Sequence, residues 1–422
     1  MAKKKKKSPP KQRPLTLANK AFFNKRYTAV QKLFRVYGLD PDLLKSCERQ
    51  VLYYLLHPVV ESFRFKAAEG HHVPRRLLDF VSESTHRFIR TSCFGDESIG
   101  LTYFEMMTHG LAFTSALAFA LCDPTLPARV TEMMTLFHEH VNSERLVQDL
   151  KGPSTHIRRL SMMISKVNFR IYGFNWEIAS DYRENRVYVT SKVVMMADDA
   201  RPVYFTHKKK ERLAFPVRAG QIISLPASNG RIDRWFVTGE DDDPPVFLDI
   251  YIQSHALQRA KERMDIFPAH KRNYYIMEPL LYMHRVTETL SGEQMLECYL
   301  EVDGVYFPFG YFPFVVQGNR LFVLTFLPFF CEETNDGEYL NEALGLRRED
   351  IAYLGMDKLS FLLTIDFDQI PVLKEVISGT DIWNLREHVD KIPDLSISID
   401  QGKTLMVKKF IERKLEFDEK NR

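Results

Sequence analysis

The chain has 422 residues, with 58 basic and 55 acidic side chains and a formal net charge of +3; it is too long for one compact core and divides into two or three domains. Its five cysteines, Cys47, Cys93, Cys122, Cys298 and Cys331, are far apart and never form a C-x-x-C pair, which argues against a disulfide framework or a zinc site and fits a reducing cytoplasm. No nucleotide-binding glycine loop, metal-ligand spacing or nucleophile elbow occurs, so neither a metal nor a cofactor is expected.

Residues 1–16 are expected to form a disordered basic tail. They hold Lys3 to Lys7, Lys11 and Arg13 with no acid, and are interrupted by Pro9, Pro10 and Pro14, so they bury too little apolar surface to offset ordering. Such a tail attracts nucleic acid or an anionic surface nonspecifically, or serves only solubility. Charges and prolines stand where a secretory signal needs an apolar run.

Residues 17–150 show apolar side chains at three- and four-residue spacing between turn signals, which predicts four or five helices in a helical domain. Asp40 followed by Pro41 reads as N-cap and first helical residue. The most apolar stretch, Leu111 to Cys122, covers about a dozen residues against the ~20 that span a bilayer, so no membrane insertion is expected.

Lys151-Gly152-Pro153 marks an expected boundary. Residues 151–245 read as a β-rich domain, with runs at Val167 to Tyr172, Arg186 to Met195, Pro202 to Thr206 and Gln221 to Leu225. Lys208, Lys209, Lys210 and Arg212 follow Tyr204 and Phe205. Basic residues interleaved with aromatics suit single-stranded nucleic acid; a charged hairpin tip gives the same pattern. Gly239 to Pro245 reads as a linker or surface loop.

Residues 246–330 run from a strand, Val246 to Ile252, into a helix beginning at His255 with Ser254 as N-cap. A second helix, Ala269 to Arg285, carries Pro279, which is expected to break or kink it. Three strands follow: Met295 to Val302, Val305 to Gln317 and Arg320 to Leu327. Gly318-Asn319 is a two-residue hairpin signal, and Pro308 and Pro313 require the middle strand to lie at an edge or to bulge. Residues 331–422 read as a C-terminal extension packing on this region. The class is α+β and multidomain: a helical N-terminal domain, a β-rich middle, and a two-helix plus antiparallel-meander C-terminal region.

At about 100° per residue, His255, Arg259 and Arg263 fall within an arc of about 80°, opposite Ala256, Leu257, Ala260 and Met264. This predicts a buried apolar face and an outward cationic one. Arginines grip phosphate and stabilise the charge of its transition state, and a histidine moves a proton near neutrality. For RNA cleavage by its own 2′-hydroxyl, positioning, a proton acceptor and positive charge suffice. A solvated face of an amphipathic helix satisfies the same spacing.

The order of strand, H-A-L-Q-R-A-K-E-R-M helix, second helix and a meander ending in R-L-F-V-L-T-F resembles the small bacterial toxin-ribonuclease domains, the group of RelE and the colicin nucleases, in a subfamily whose helix reads H-A-x-x-R-x-x-x-R. The resemblance covers residues 246–330. It implies a metal-independent endoribonuclease with His255, Arg259, Arg263 and Thr325 as catalytic residues, Arg320 as a further phosphate contact, RNA as partner and a protein inhibitor or antitoxin as a second one. The alternative function is a noncatalytic nucleic-acid or protein interaction module, of the kind carried by mobile elements.

Overall fold

A computed structural model describes residues 17–47, 51–52, 55–56, 59–60, 63–120, 128–141, 150–183, 186–217, 231–233, 247–282, 286–289, 291–302, 305–331, 333–392, 395 and 397–420. The basic tail, the expected strand at 221–225 and the loop at 239–245 lie outside them. The fold is α+β and multidomain. It forms two compact units, one of residues 1–66, 75–157 and 176–194, the other of residues 67–74, 158–175 and 195–422. Both are discontinuous, so the linear boundaries expected at 150, 245 and 330 do not delimit them. Lys151 to Pro153, read as a break, instead open a helix (α5, Lys151–Ile164). Proline is tolerated in a first turn, where the backbone N–H has no partner within the helix.

The first unit is built on α1 (Leu17–Val36), α2 (Arg75–Thr91), α3 (Leu111–Ala120) and α4 (Ala128–His140). Asp40 caps as expected, accepting from the Asp42 N–H at 2.9 Å, although the helix that Pro41 opens is a 3-10 helix, Pro41–Ser46. Phe34, Phe113 and Phe137 pack with ring centroids 5.4 to 5.8 Å apart. This region is helical but also carries strands β1 (Val59–Val60) and β2 (Arg64–Ala67). Both pair with β4 (Arg186–Asp199), which also pairs with β3 (Arg170–Arg183). Arg26 is buried among these elements; its Nη1 donates to the Leu56 carbonyl at 2.8 Å and its Nε to His109 Nδ1 at 3.4 Å.

The second unit holds a nine-stranded sheet in the order β5-β6-β8-β12-β11-β10-β9, with β7 also on β8 and β13 also on β11. The strands are β5 (Val203–His207), β6 (Lys210–Pro216), β7 (Arg231–Asp233), β8 (Phe247–Gln253), β9 (Val286–Glu288), β10 (Gln294–Val302), β11 (Val305–Gln317), β12 (Arg320–Val323) and β13 (Leu327–Pro328). Alternate residues face opposite sides. Leu248, Ile250, Ile252, Leu321 and Val323 join the main core, while Tyr251 and Phe322 join Phe205 in a smaller cluster on the other face.

Two helices, α6 (Ser254–Arg263) and α7 (Ala269–Tyr282), pack on the main core through Ala256, Leu257, Ala260, Ile276, Met277 and Leu280. Pro279 does not break α7, which continues to Tyr282. The extension adds α8 (Asn335–Leu344), α9 (Arg348–Leu354), α10 (Leu359–Thr364), α11 (Pro371–Ser378), α12 (Asp381–Glu387) and α13 (Gln401–Lys420). Leu340, Ile351, Phe361, Leu373 and Ile411 from these helices belong to the same core. No described helix is long and apolar enough to cross a membrane.

The hairpin at Gly318-Asn319 forms as the sequence predicts: Gln317 pairs with Arg320 and Gly318 takes φ +60°. β11 is interior, with β10 on one side and β12 and β13 on the other. Pro308 is accommodated by a register shift, where Cys298 pairs with Gly310 and Tyr299 with Pro308, leaving Phe309 as the extra residue, whereas Pro313 stays in register opposite Met295. Of the two expectations, the bulge is met and the edge position is not.

Candidate active site

β8 and β12 run parallel side by side, Asp249 opposite Arg320 and Ile252 opposite Val323. At their C-terminal ends the chain diverges: β8 turns into α6, and β12 into the segment Leu324–Phe326. Divergence of neighbouring parallel strands leaves a crevice, the usual place for a ligand in a sheet of this kind. Here it is a cleft of about 380 Å³, and His255, Arg259, Arg263, Arg212, Lys208 and Thr325 are among its walls.

His255 is exposed in this cleft and makes no hydrogen bond among the described residues. Partial burial, and then the charges of Arg259, Arg263 and Arg212, hold its imidazole below the ordinary histidine range, with Glu262 opposing. The neutral form therefore prevails at neutral pH, as a proton acceptor requires. One turn on, Arg259 Nη1 lies 3.2 Å from Glu262 Oε2, whose other oxygen accepts from Gln258 Nε2 at 2.9 Å.

Arg263 departs from the expected outward face. It is buried, its Nη1 donates to the Phe326 carbonyl, and its Nε lies 3.5 Å from Asp357 Oδ2. The same helical angle that leaves His255 exposed puts Arg263 beneath the segment following β12, because that segment covers only the last turn of α6. Arg263 therefore holds α6, Phe326 and Asp357 together, and its charge reaches the cleft from behind. Ser254 is likewise not the N-cap: Gln253 occupies that position, without a side-chain cap, and its Oε1 accepts from Arg212 Nη1 at 3.2 Å. That bond fixes Arg212 at the mouth of the cleft, with a buried Nε that has no hydrogen-bond partner.

The basic run divides. Lys208 and Lys209 form the turn between β5 and β6, both at positive φ, 48° and 64°. Lys208 reaches the cleft, where its Nζ lies 3.1 Å from Glu293 Oε1. Lys209 and Lys210 are exposed and are not among its walls. Arg320 does not take the expected place: it lies at the N-terminal end of β12, at the opposite end of the strand from Thr325, with its guanidinium 5.6 Å from the Tyr251 ring centroid on the other face.

Four further residues of the cleft carry no local sequence signal. His207 ends β5 beside the lysine turn, and Arg348 begins α9 in the extension. Glu293 comes from the turn before β10, and Glu333 accepts from Cys331 Sγ at 3.2 Å. Burial, and then Glu333, pushes the Cys331 thiol up to about 11, so it stays protonated and is no nucleophile at neutral pH.

Compared with protein-family models, with curated proteins and with solved structures, the chain matches none of them.

Proposed function

We propose that this cleft binds the phosphodiester backbone of RNA and cleaves it without a metal, using the RNA's own 2′-hydroxyl as nucleophile. The observation that supports this most is the convergence of His255, Arg259, Arg212 and Thr325, from three separate segments of chain, on one concave surface. Neutral His255 takes the 2′-hydroxyl proton as the oxygen attacks phosphorus. Arg259 and Arg212 balance the charge that builds on the phosphate oxygens, and the Thr325 hydroxyl donates to one of them. The 5′-oxygen leaves with a proton from His207; burial, and then Lys208 and Arg212, hold this imidazole below the ordinary histidine range in the free protein, so the phosphate anion beside it has to raise its proton affinity for this step. The products are a 2′,3′-cyclic phosphate and a 5′-hydroxyl. Arg263 is a positioning residue in this scheme and does not grip the phosphate.

The test is incubation of the full chain with single-stranded RNA in the presence of a chelator. Cyclic-phosphate ends are expected, and the same sequence with 2′-deoxyribose is expected to bind without being cut. Cleavage that requires magnesium, or that proceeds on the deoxy substrate, overturns the mechanism. The inward orientation of Arg263 and the pairing of Arg259 with Glu262 also suit a binding module without turnover; RNA bound but left intact selects that reading.

A further inference from the structure

A second cavity, of about 110 Å³, adjoins the cleft, and Arg259, Arg263, Cys331 and Arg348 form walls of both. Its floor is different in kind. Pro328, Phe330 and Ile351 line it with buried apolar surface, and Ala352 stands exposed at its rim on α9. Its polar end is Asp357, whose one ion pair among the described residues is the 3.5 Å approach of Arg263 Nε; that approach makes no hydrogen bond, so the carboxylate oxygens keep acceptor capacity.

A cationic cleft beside a small apolar pocket that ends in an acceptor is the composition that an unstacked nucleotide requires. Its phosphate seeks the cations. The planar base loses water against apolar side chains and stacks on guanidinium planes, and its edge needs a hydrogen-bond partner. We propose that the second cavity holds a nucleobase whose phosphate occupies the neighbouring cleft, and that Asp357 makes it prefer a base with an exocyclic amino group. Arg259 and Arg348, shared by both cavities, stand where sugar and phosphate join the two. A carboxylate accepts from an amino group and repels the carbonyl that uracil presents at the same position. This inference rests on the reading of the cleft as an RNA-phosphate site.

The experiment measures binding of the full chain, in the presence of a chelator and with non-cleavable 2′-O-methyl backbones, to short oligomers of cytidine, of uridine and of abasic ribose phosphate. The cytidine oligomer is expected to bind roughly tenfold more tightly than the uridine one, from one hydrogen bond to a charged acceptor, and tighter still than the abasic chain. Ala352→Trp fills the cavity from an exposed position. It should bring both base-containing oligomers down to the abasic level and leave abasic affinity unchanged. Asp357→Asn, whose amide donates as well as accepts, should abolish the cytidine preference. Equal affinity of the natural chain for the cytidine and uridine oligomers overturns the role of Asp357. Base-containing and abasic chains bound equally, or an Ala352→Trp chain that still prefers bases, overturns the base cavity while the phosphate cleft stands. Failure to bind any of the three overturns the cleft itself, and the cavity with it.

Discussion

His255 and Arg259 lie one helical turn apart, yet their substitutions should separate. His255→Ala removes a group that acts mainly in the transition state, so turnover should fall about 10²- to 10⁴-fold with RNA affinity nearly unchanged. Arg259→Ala removes a phosphate contact made in ground and transition states alike, and also frees Glu262 from its 3.2 Å pair. Binding should weaken and its salt dependence flatten, alongside slower cleavage. Single-turnover rates and salt-titrated binding distinguish the two; identical profiles would make the helix face a recognition surface only. In the first unit, His109 gives a second expectation at this scale. Burial, and then Arg26 and Lys25, pushes its imidazole down to about 4. The unfolded chain takes up this proton near pH 6.5 and the folded chain only near 4, so protons favour unfolding between the two. Stability should be full above about pH 6.5 and fall by about 3 kcal/mol as pH drops towards 4, then level off. His109→Gln, which keeps an acceptor for Arg26 and does not titrate, should flatten that slope in urea denaturation measured across the same range.

At the scale of elements, the segment Phe326–Leu327 depends on an absent side chain. Gly310 on β11 pairs with Pro328 on β13, and a Cβ there would lie 2.7 Å from the Leu327 carbonyl oxygen and 2.5 Å from Phe326 Cζ. Backbone cannot move aside as a flexible side chain can, so Gly310→Ala should cost about 1–3 kcal/mol. Because Thr325 precedes Phe326 directly, RNA affinity should fall in the same variant; denaturant midpoints and binding measured together check this. Much at this scale was legible beforehand. The bounds of β11, the Gly318-Asn319 turn and the buried Ala256-Leu257-Ala260 face follow from period and turn chemistry, which are local. The candidate site was legible only in part. A helical wheel assigns His255 and Arg263 to one arc, but only a partner distant in sequence, Phe326 or Asp357, decides that one is exposed and the other covered. Arg320 and Thr325 likewise belong to one predicted strand, while pairing with β8 sets them at its opposite ends.

At the scale of the whole molecule, the interleaving of the two units decides how the chain can be divided. The strand residues 176–183 and 186–194 belong to the first unit although they follow the expected boundary at 150. A fragment of residues 1–150 therefore lacks the strands that pair with β1 and β2, and leaves polar backbone without partners. It should show no cooperative thermal transition by circular dichroism, whereas the full chain should. A sharp transition in that fragment would show that the helices alone make a folding unit. Composition pointed to more than one domain but carried no trace of this arrangement, because a strand's propensity does not record which unit its partner comes from.

The parallel pair β8 and β12 also sets the order of events during synthesis. Its partners, such as Asp249 and Arg320, are about seventy residues apart in the chain, whereas the β5-β6 and β11-β12 hairpins close over two-residue turns. Local closures come first and distant ones wait, since loop entropy must be met before such a contact stabilises anything. The β5-β6 residues and His255 emerge from the ribosome well ahead of Thr325, and Arg348 later still, so the nascent chain carries an incomplete cleft. A protein able to cut RNA would thus stay harmless to the message encoding it until the chain has been made past Arg348 and the distant strand pair has closed.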